Sequence, residues 1–148
     1  MKRKALILIA ISLICFGNVA GQSQSGNLTS WVGKYPTDRK GKVTRSFFRL
    51  PEIRQPLLKL LSKHDFALLT KEYEVETPIK QIGDYLVVKV CRPHNCGDEQ
   101  AGFAIKLSDG TIHVRMHASD EIRWFSSKGK YRDLPREVYD YLEDFSAT

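Results

Sequence analysis

The chain has 148 residues with 23 Lys/Arg against 17 Asp/Glu, a formal charge of +6, and three cysteines. That length supports one hydrophobic core and no second domain. The charge shows no stripe of Lys/Arg interleaved with aromatics of the kind that binds nucleic acid.

Met1-Lys2-Arg3-Lys4 is a basic start, and an apolar run of 12 residues follows from Ala5 to Phe16. Small residues come next at Gly17, Ala20 and Gly21. This is the pattern of a secretory signal peptide. A membrane-spanning helix needs about 20 apolar residues, so no stable membrane anchor is expected. Ile14 is too large to precede a lipid-modified Cys15. Cleavage is expected after Gly21, with Val19 and Gly21 at the positions the peptidase reads. Residues 22–148 are then the mature domain, expected in the periplasm or secreted. Loss of Lys2, Arg3 and Lys4 lowers the formal charge from +6 to +3. Loss of Cys15 leaves Cys91 and Cys96, and an even pair in an exported protein is expected to be bridged.

Gln22 to Leu28 is rich in Gln, Ser and Gly and predicts a disordered lead-in. In Trp31-Val-Gly-Lys-Tyr-Pro36 the two aromatics are expected to pack on the core edge. Thr37 to Arg45 carries four Lys/Arg and predicts a solvated loop. Pro51 to Leu61 predicts a helix, with Ile53, Leu57, Leu60 and Leu61 on one face. Pro51 suits the first turn, whereas Pro56 removes a hydrogen bond and predicts a break or kink. A second short helix is expected from Lys63 to Thr70, with His64 on its surface.

The second half is strand-like. Ile79–Ile82 predicts a short strand and Tyr85–Cys91 a clear one. Ala101–Leu107, Thr111–His117 and Ile122–Ser126 predict three more. Ser108-Asp109-Gly110 is a hairpin turn signal. Pro135 to Phe145 predicts a closing helix with Val138, Tyr141, Leu142 and Phe145 on its apolar stripe. The sum is an α+β domain in which helices flank an antiparallel meander.

Between the second and third strands lies Cys91-Arg92-Pro93-His94-Asn95-Cys96. A bridge here closes a ring of about six residues, which adds only about 2 kcal/mol to the fold. Such a bridge mainly freezes its own loop, helped by the fixed φ of Pro93, and a frozen loop loses less entropy on docking. The ring would present His94 at its tip, with Gly97 easing a sharp exit. A stabilised hairpin end without a partner is the competing reading. Structural zinc wants four ligands, and no fourth joins Cys91, His94 and Cys96. His113 and His117 share a strand face but sit about 13 Å apart, at roughly 3.3 Å per residue. They read as core or surface histidines, and no metal or other cofactor is expected. Neither a Cys-x-x-Cys redox motif nor a Gly-x-Ser-x-Gly elbow is present. Asp98/Glu99 and Asp120/Glu121 fall in turns, where acids are solvated. The reading is a non-enzyme.

Cys91-Arg-Pro-His-Asn-Cys-Gly97 closely resembles the Cys-Lys-Pro-His-Asp-Cys loop of the inhibitor of vertebrate lysozyme (Ivy) family. The Trp31–Pro36 opening and the strands after the ring are also similar to members of that family. The resemblance implies a central antiparallel sheet flanked by helices, a periplasmic protein and, in some members, a homodimer. It implies that the ring enters the active-site cleft of C-type lysozyme, with His94 reaching the two catalytic carboxyls. Arg92, Pro93 and Asn95 complete the implied target-binding loop, with Arg92 adding charge at the rim. Asn95 departs from the family's acidic residue, so a charge contact made there is absent. The basic mature chain implies no long-range steering toward a basic lysozyme. Two other targets fit the same features: the cell's own lytic transglycosylases, and an envelope partner bound by a module that inhibits no enzyme.

Overall fold

The computed structural model describes residues 28–37 and 46–144. The expected signal segment, residues 22–27 of the expected lead-in, most of the predicted 37–45 loop and Phe145 lie outside the described residues. In chain order the main elements are α1 (Pro51–Leu60), α2 (Lys63–Ala67), a π-helical turn (Leu68–Glu72), strands β1 to β6, and α3 (Arg136–Glu143). The strands are β1 (Val75–Glu76), β2 (Lys80–Ile82), β3 (Tyr85–Cys91), β4 (Gln100–Lys106), β5 (Ile112–Ala118) and β6 (Glu121–Ser126). Every pairing is antiparallel, in the order β1-β3-β4-β5-β6, and β2 shares with β1 the outer edge of β3. This is the expected α+β meander.

The sheet is covered on both faces. Leu86, Val88 and Val90 of β3 face the same side as Phe103, Ile105, Val114 and Met116, and they pack against Phe47, Phe48, Ile53 and Leu57. Phe47, Phe48 and Phe103 meet edge to face with centroids 5.5–5.8 Å apart, a geometry favoured by the ring quadrupoles. On the other face Tyr85, Val87 and Ala104 pack against Val138 and Leu142 of α3. Gly102 lies beneath α3, and a Cβ there would stand 2.9 Å from Leu142 Cδ2 and 3.3 Å from its carbonyl oxygen. Gly102→Ala is expected to cost about 1–3 kcal/mol through this overpacking. Denaturant unfolding measures it, and an unchanged midpoint would mean that α3 can move away without loss.

Four local expectations are corrected. Helix α1 runs through Pro56 without a break. The amide that Pro56 lacks would have bonded the Glu52 carbonyl, and the burial of Ile53 and Leu57 against the core holds the helix through that loss. Trp31 packs edge-on against Phe47 at 5.6 Å, but Tyr35 is 53% exposed. The backbone at this point does a different job. Gly33 N–H donates to Ile79 O and Ile79 N–H to Lys34 O, both at 2.8 Å, which covers the gap between β1 and β2 on the sheet edge. Leu28, placed in the disordered lead-in, is a buried core residue. Finally, Pro135 caps α3 from outside its first turn.

Candidate functional site

Strand β3 ends at Cys91 and β4 starts opposite it at Gln100, so residues 92–99 form a protrusion from one end of the sheet. Cys91 is fully buried in the sheet and bonded to Cys96, with 5.0 Å between their Cα atoms. Within the ring, Asn95 N–H donates to Arg92 O at 3.1 Å. Pro93 and His94 are the central residues of that turn, and His94 has φ +63°. Proline followed by a positive φ is the type II pattern, whose third position normally takes glycine or asparagine. Gly97, expected to use that freedom, is not among the positive-φ glycines. The left-handed position is held by the histidine instead. Pro93, His94 and Asn95 are all exposed.

A second layer of contacts ties the ring to its base. Arg92 N–H donates to Glu99 O at 2.9 Å, and Glu99 N–H donates to Asn95 O at 3.0 Å. Gln100 Nε2 donates to Gly97 O at 3.2 Å. The Arg92 guanidinium lies 3.4 Å from the Glu99 carboxylate and 3.7 Å from that of Glu72. It is therefore held by two of the chain's own carboxylates and does not stand alone at the rim. Tyr73, buried in the core, donates its hydroxyl to Glu99 Oε2 at 3.0 Å. Burial and the neighbouring Glu99 carboxylate push that hydroxyl above its ordinary range, so Tyr73 remains a neutral donor.

The charge around the ring is opposite in sign to that of the whole chain. Residues 71–74, 92–99 and 119–123, which meet at this end of the sheet, hold six acidic and three basic residues. Two of those three, Arg92 and Arg123, are ion-paired within the chain. Net charge alone had implied no steering toward a basic protein, but the acids at this end favour its approach.

The histidines separate clearly. His64 is exposed on α2. His113 is buried with Nδ1 2.8 Å from Ser126 Oγ, and burial lowers its pKa. His117 is half-buried beside Gln100. Among the described residues no group of His, Cys, Asp and Glu is placed to hold a metal, and no helix is long and apolar enough to cross a membrane. A cleft of about 360 Å³ lined by Trp124, Ser126, Gly129, Lys130, Tyr131 and Arg132 lies at the other end of the sheet and includes no ring residue.

Sequence reasoning missed the partners of the ring: Tyr73, Glu72 and Glu99 carry no motif. It also missed a buried ion pair in which Arg123 on β6 grips Asp65 on α2 at 2.7 and 3.0 Å.

No curated protein and no solved structure matches the chain. A family model described as inhibitor of vertebrate lysozyme (Ivy) matches residues 52–148, from α1 through the whole sheet and the ring to the end of the chain. By that match over most of its length, the chain belongs to the inhibitor of vertebrate lysozyme (Ivy) family.

Proposed function

We propose that the mature protein is an exported inhibitor of C-type lysozyme that seats the Cys91–Cys96 ring in the catalytic cleft, with His94 as the reaching group. Membership of the family supports the lysozyme target. The observation that carries the ring mechanism is the backbone of His94. A non-glycine residue at positive φ costs roughly 1–2 kcal/mol, and such strain, held by the surrounding structure, clusters at active sites and ligand clamps. The other two such residues, Ser119 and Asp120, are the two-residue hairpin turn between β5 and β6, a turn built on positive φ. The strained His94 is exposed, at the tip of a loop closed by a disulfide and a nested pair of turns.

The chemistry suits that cleft. A lysozyme active site holds one carboxyl with a raised pKa and one ionised carboxylate. Imidazole can donate to both when protonated, or donate to one and accept from the other when neutral. Occupation of the site blocks the enzyme, so the inhibitor needs no catalysis of its own. The bridged ring and the basic-apolar start of the chain support export to the periplasm.

The test is lysis of peptidoglycan by a C-type lysozyme, with and without a stoichiometric amount of residues 22–148. Wild type is expected to stop lysis. Unimpeded lysis at micromolar inhibitor would overturn the reading and direct the same assay to lytic transglycosylases.

A further inference from the structure

We infer that Glu99, backed by Tyr73 and flanked by the Arg92–Glu72 pair, is a positioning clasp that holds the His94 turn in its docking conformation. This rests on the reading of the ring as the target-binding element.

Glu99 is the hub of the protrusion. Its carbonyl accepts from Arg92 N–H and its own N–H donates to Asn95 O, so its backbone closes the ring's base from both sides. One oxygen of its carboxylate, Oε2, meets both the Arg92 guanidinium and the Tyr73 hydroxyl. Arg92 is in turn the first residue of the His94 turn, and its carbonyl accepts the turn's closing bond from Asn95. Fixing the Arg92 side chain therefore fixes the start of that turn.

The clasp is anchored outside the ring. Tyr73 is 2% exposed, and its hydroxyl also lies 3.4 Å from His117 O on β5. Glu72 and Tyr73 follow one another where the π-helical turn Leu68–Glu72 gives way to extended chain. A π turn adds a residue to the helical repeat and is frequent at functional sites. Here it delivers a carboxylate and a phenol to the same loop base.

The disulfide alone does not do this work. It ties Cys91 to Cys96 and leaves the chain from Gly97 to Glu99 outside the covalent ring. The contacts of Glu99 close that second segment. The ion pairs are partly exposed, so they add little to global stability. Their effect should be local, on the fraction of molecules whose turn is ready to dock.

The test uses Glu99→Ala and Tyr73→Phe in the full mature protein. Tyr73→Phe keeps the buried ring, so it guards against simple misfolding. Amide exchange in the free protein reads the clasp directly. The Arg92 and Asn95 amides are expected to exchange about tenfold faster in both variants, with the core strands unchanged. Binding to C-type lysozyme, read by titration calorimetry, is expected to weaken about fivefold or more, with Glu99→Gln falling between Glu99→Ala and wild type. Combined with His94→Ala, the clasp variants should add little further loss, because they act through that residue. Unchanged protection of Arg92 and Asn95 overturns the inference. So does faster exchange with full affinity. Faster exchange in a protein whose wild type ignores lysozyme overturns the target instead and leaves the clasp standing.

Discussion

Replacing His94 by glycine is expected to give a protein at least as stable as wild type that no longer inhibits lysozyme. Glycine relieves a left-handed backbone that costs an ordinary residue roughly 1–2 kcal/mol. It returns about 0.5–1 kcal/mol of that through its greater freedom when unfolded. The net change lies between zero and about 1.5 kcal/mol of stabilisation. Binding should fall at least tenfold, or about 1.4 kcal/mol, because the imidazole proposed to reach the carboxyls is gone. His94→Ala separates the two effects. It removes the imidazole but retains the strained φ, so it should lose the same affinity without the gain in stability. Thermal unfolding and inhibition measured side by side on the two variants decide the matter. Full inhibition by His94→Gly would show that the side chain is not the key. A large loss of stability would show that the imidazole is a structural group whose position at the tip is incidental.

The contrast between Gly97 and His94 explains what could be read in the sequence and what could not. The ring was legible because a five-residue separation of two cysteines, a preceding apolar run and a proline constrain one another locally. Which residue takes the left-handed conformation was not legible. Glycine is the default on sterics alone, and only the closing of the turn by Asn95 onto Arg92 assigns it to His94. Five of the six strands were legible to within a residue from their apolar content, whereas the two-residue β1 was not read at all. Strand β3 is buried on both faces, so its residues read as one continuous run and did not reveal which side each helix covers. Pro56 misled because the burial of Ile53 and Leu57 holds the helix through the loss of one hydrogen bond. Tyr35 misled because its segment contributes backbone hydrogen bonds to the sheet edge, which no side-chain pattern records. The partners of Arg92 are hidden for a simpler reason. Glu72 is 20 residues away, and the two meet only once β1 has paired with β3.

The same distance problem concealed the ion pair of Asp65 and Arg123, and its loss should have a large effect on stability. Arg123→Ala is expected to cost about 3 kcal/mol at neutral pH. The Asp65 side chain is 3% exposed, and Arg123 meets both of its oxygens. Ser62 also donates to it at 2.8 Å, while Ser62 Oγ accepts Asp65 N–H and so caps α2. Without Arg123 the carboxylate would be buried with a single hydroxyl for company. Arg123 is itself about one-third exposed, so water can offset part of the loss, which places the figure at the low end for a broken buried pair. Burial pulls the Asp65 pKa up, but the hydrogen bonds from Arg123 and Ser62 and the charge of Arg123 outweigh it, and the net direction is down. A folded-state pKa below the unfolded value contributes stability that is present above the unfolded pKa, near 4, and lost as pH falls through the folded one. In Arg123→Ala the lowering by arginine is gone and burial remains. The variant should therefore lose less on acidification than wild type, and its deficit should narrow between pH 7 and pH 3. Chemical denaturation across that range gives the answer, and a deficit that stays constant would show that the cost comes from lost packing of Arg123 on Phe125 and not from the carboxylate. The pair also holds α2, which leads directly into the π-helical turn bearing Glu72. A loosened Asp65 should therefore disturb the base of the ring before it unfolds the sheet, and amide exchange at Arg92 would register that first.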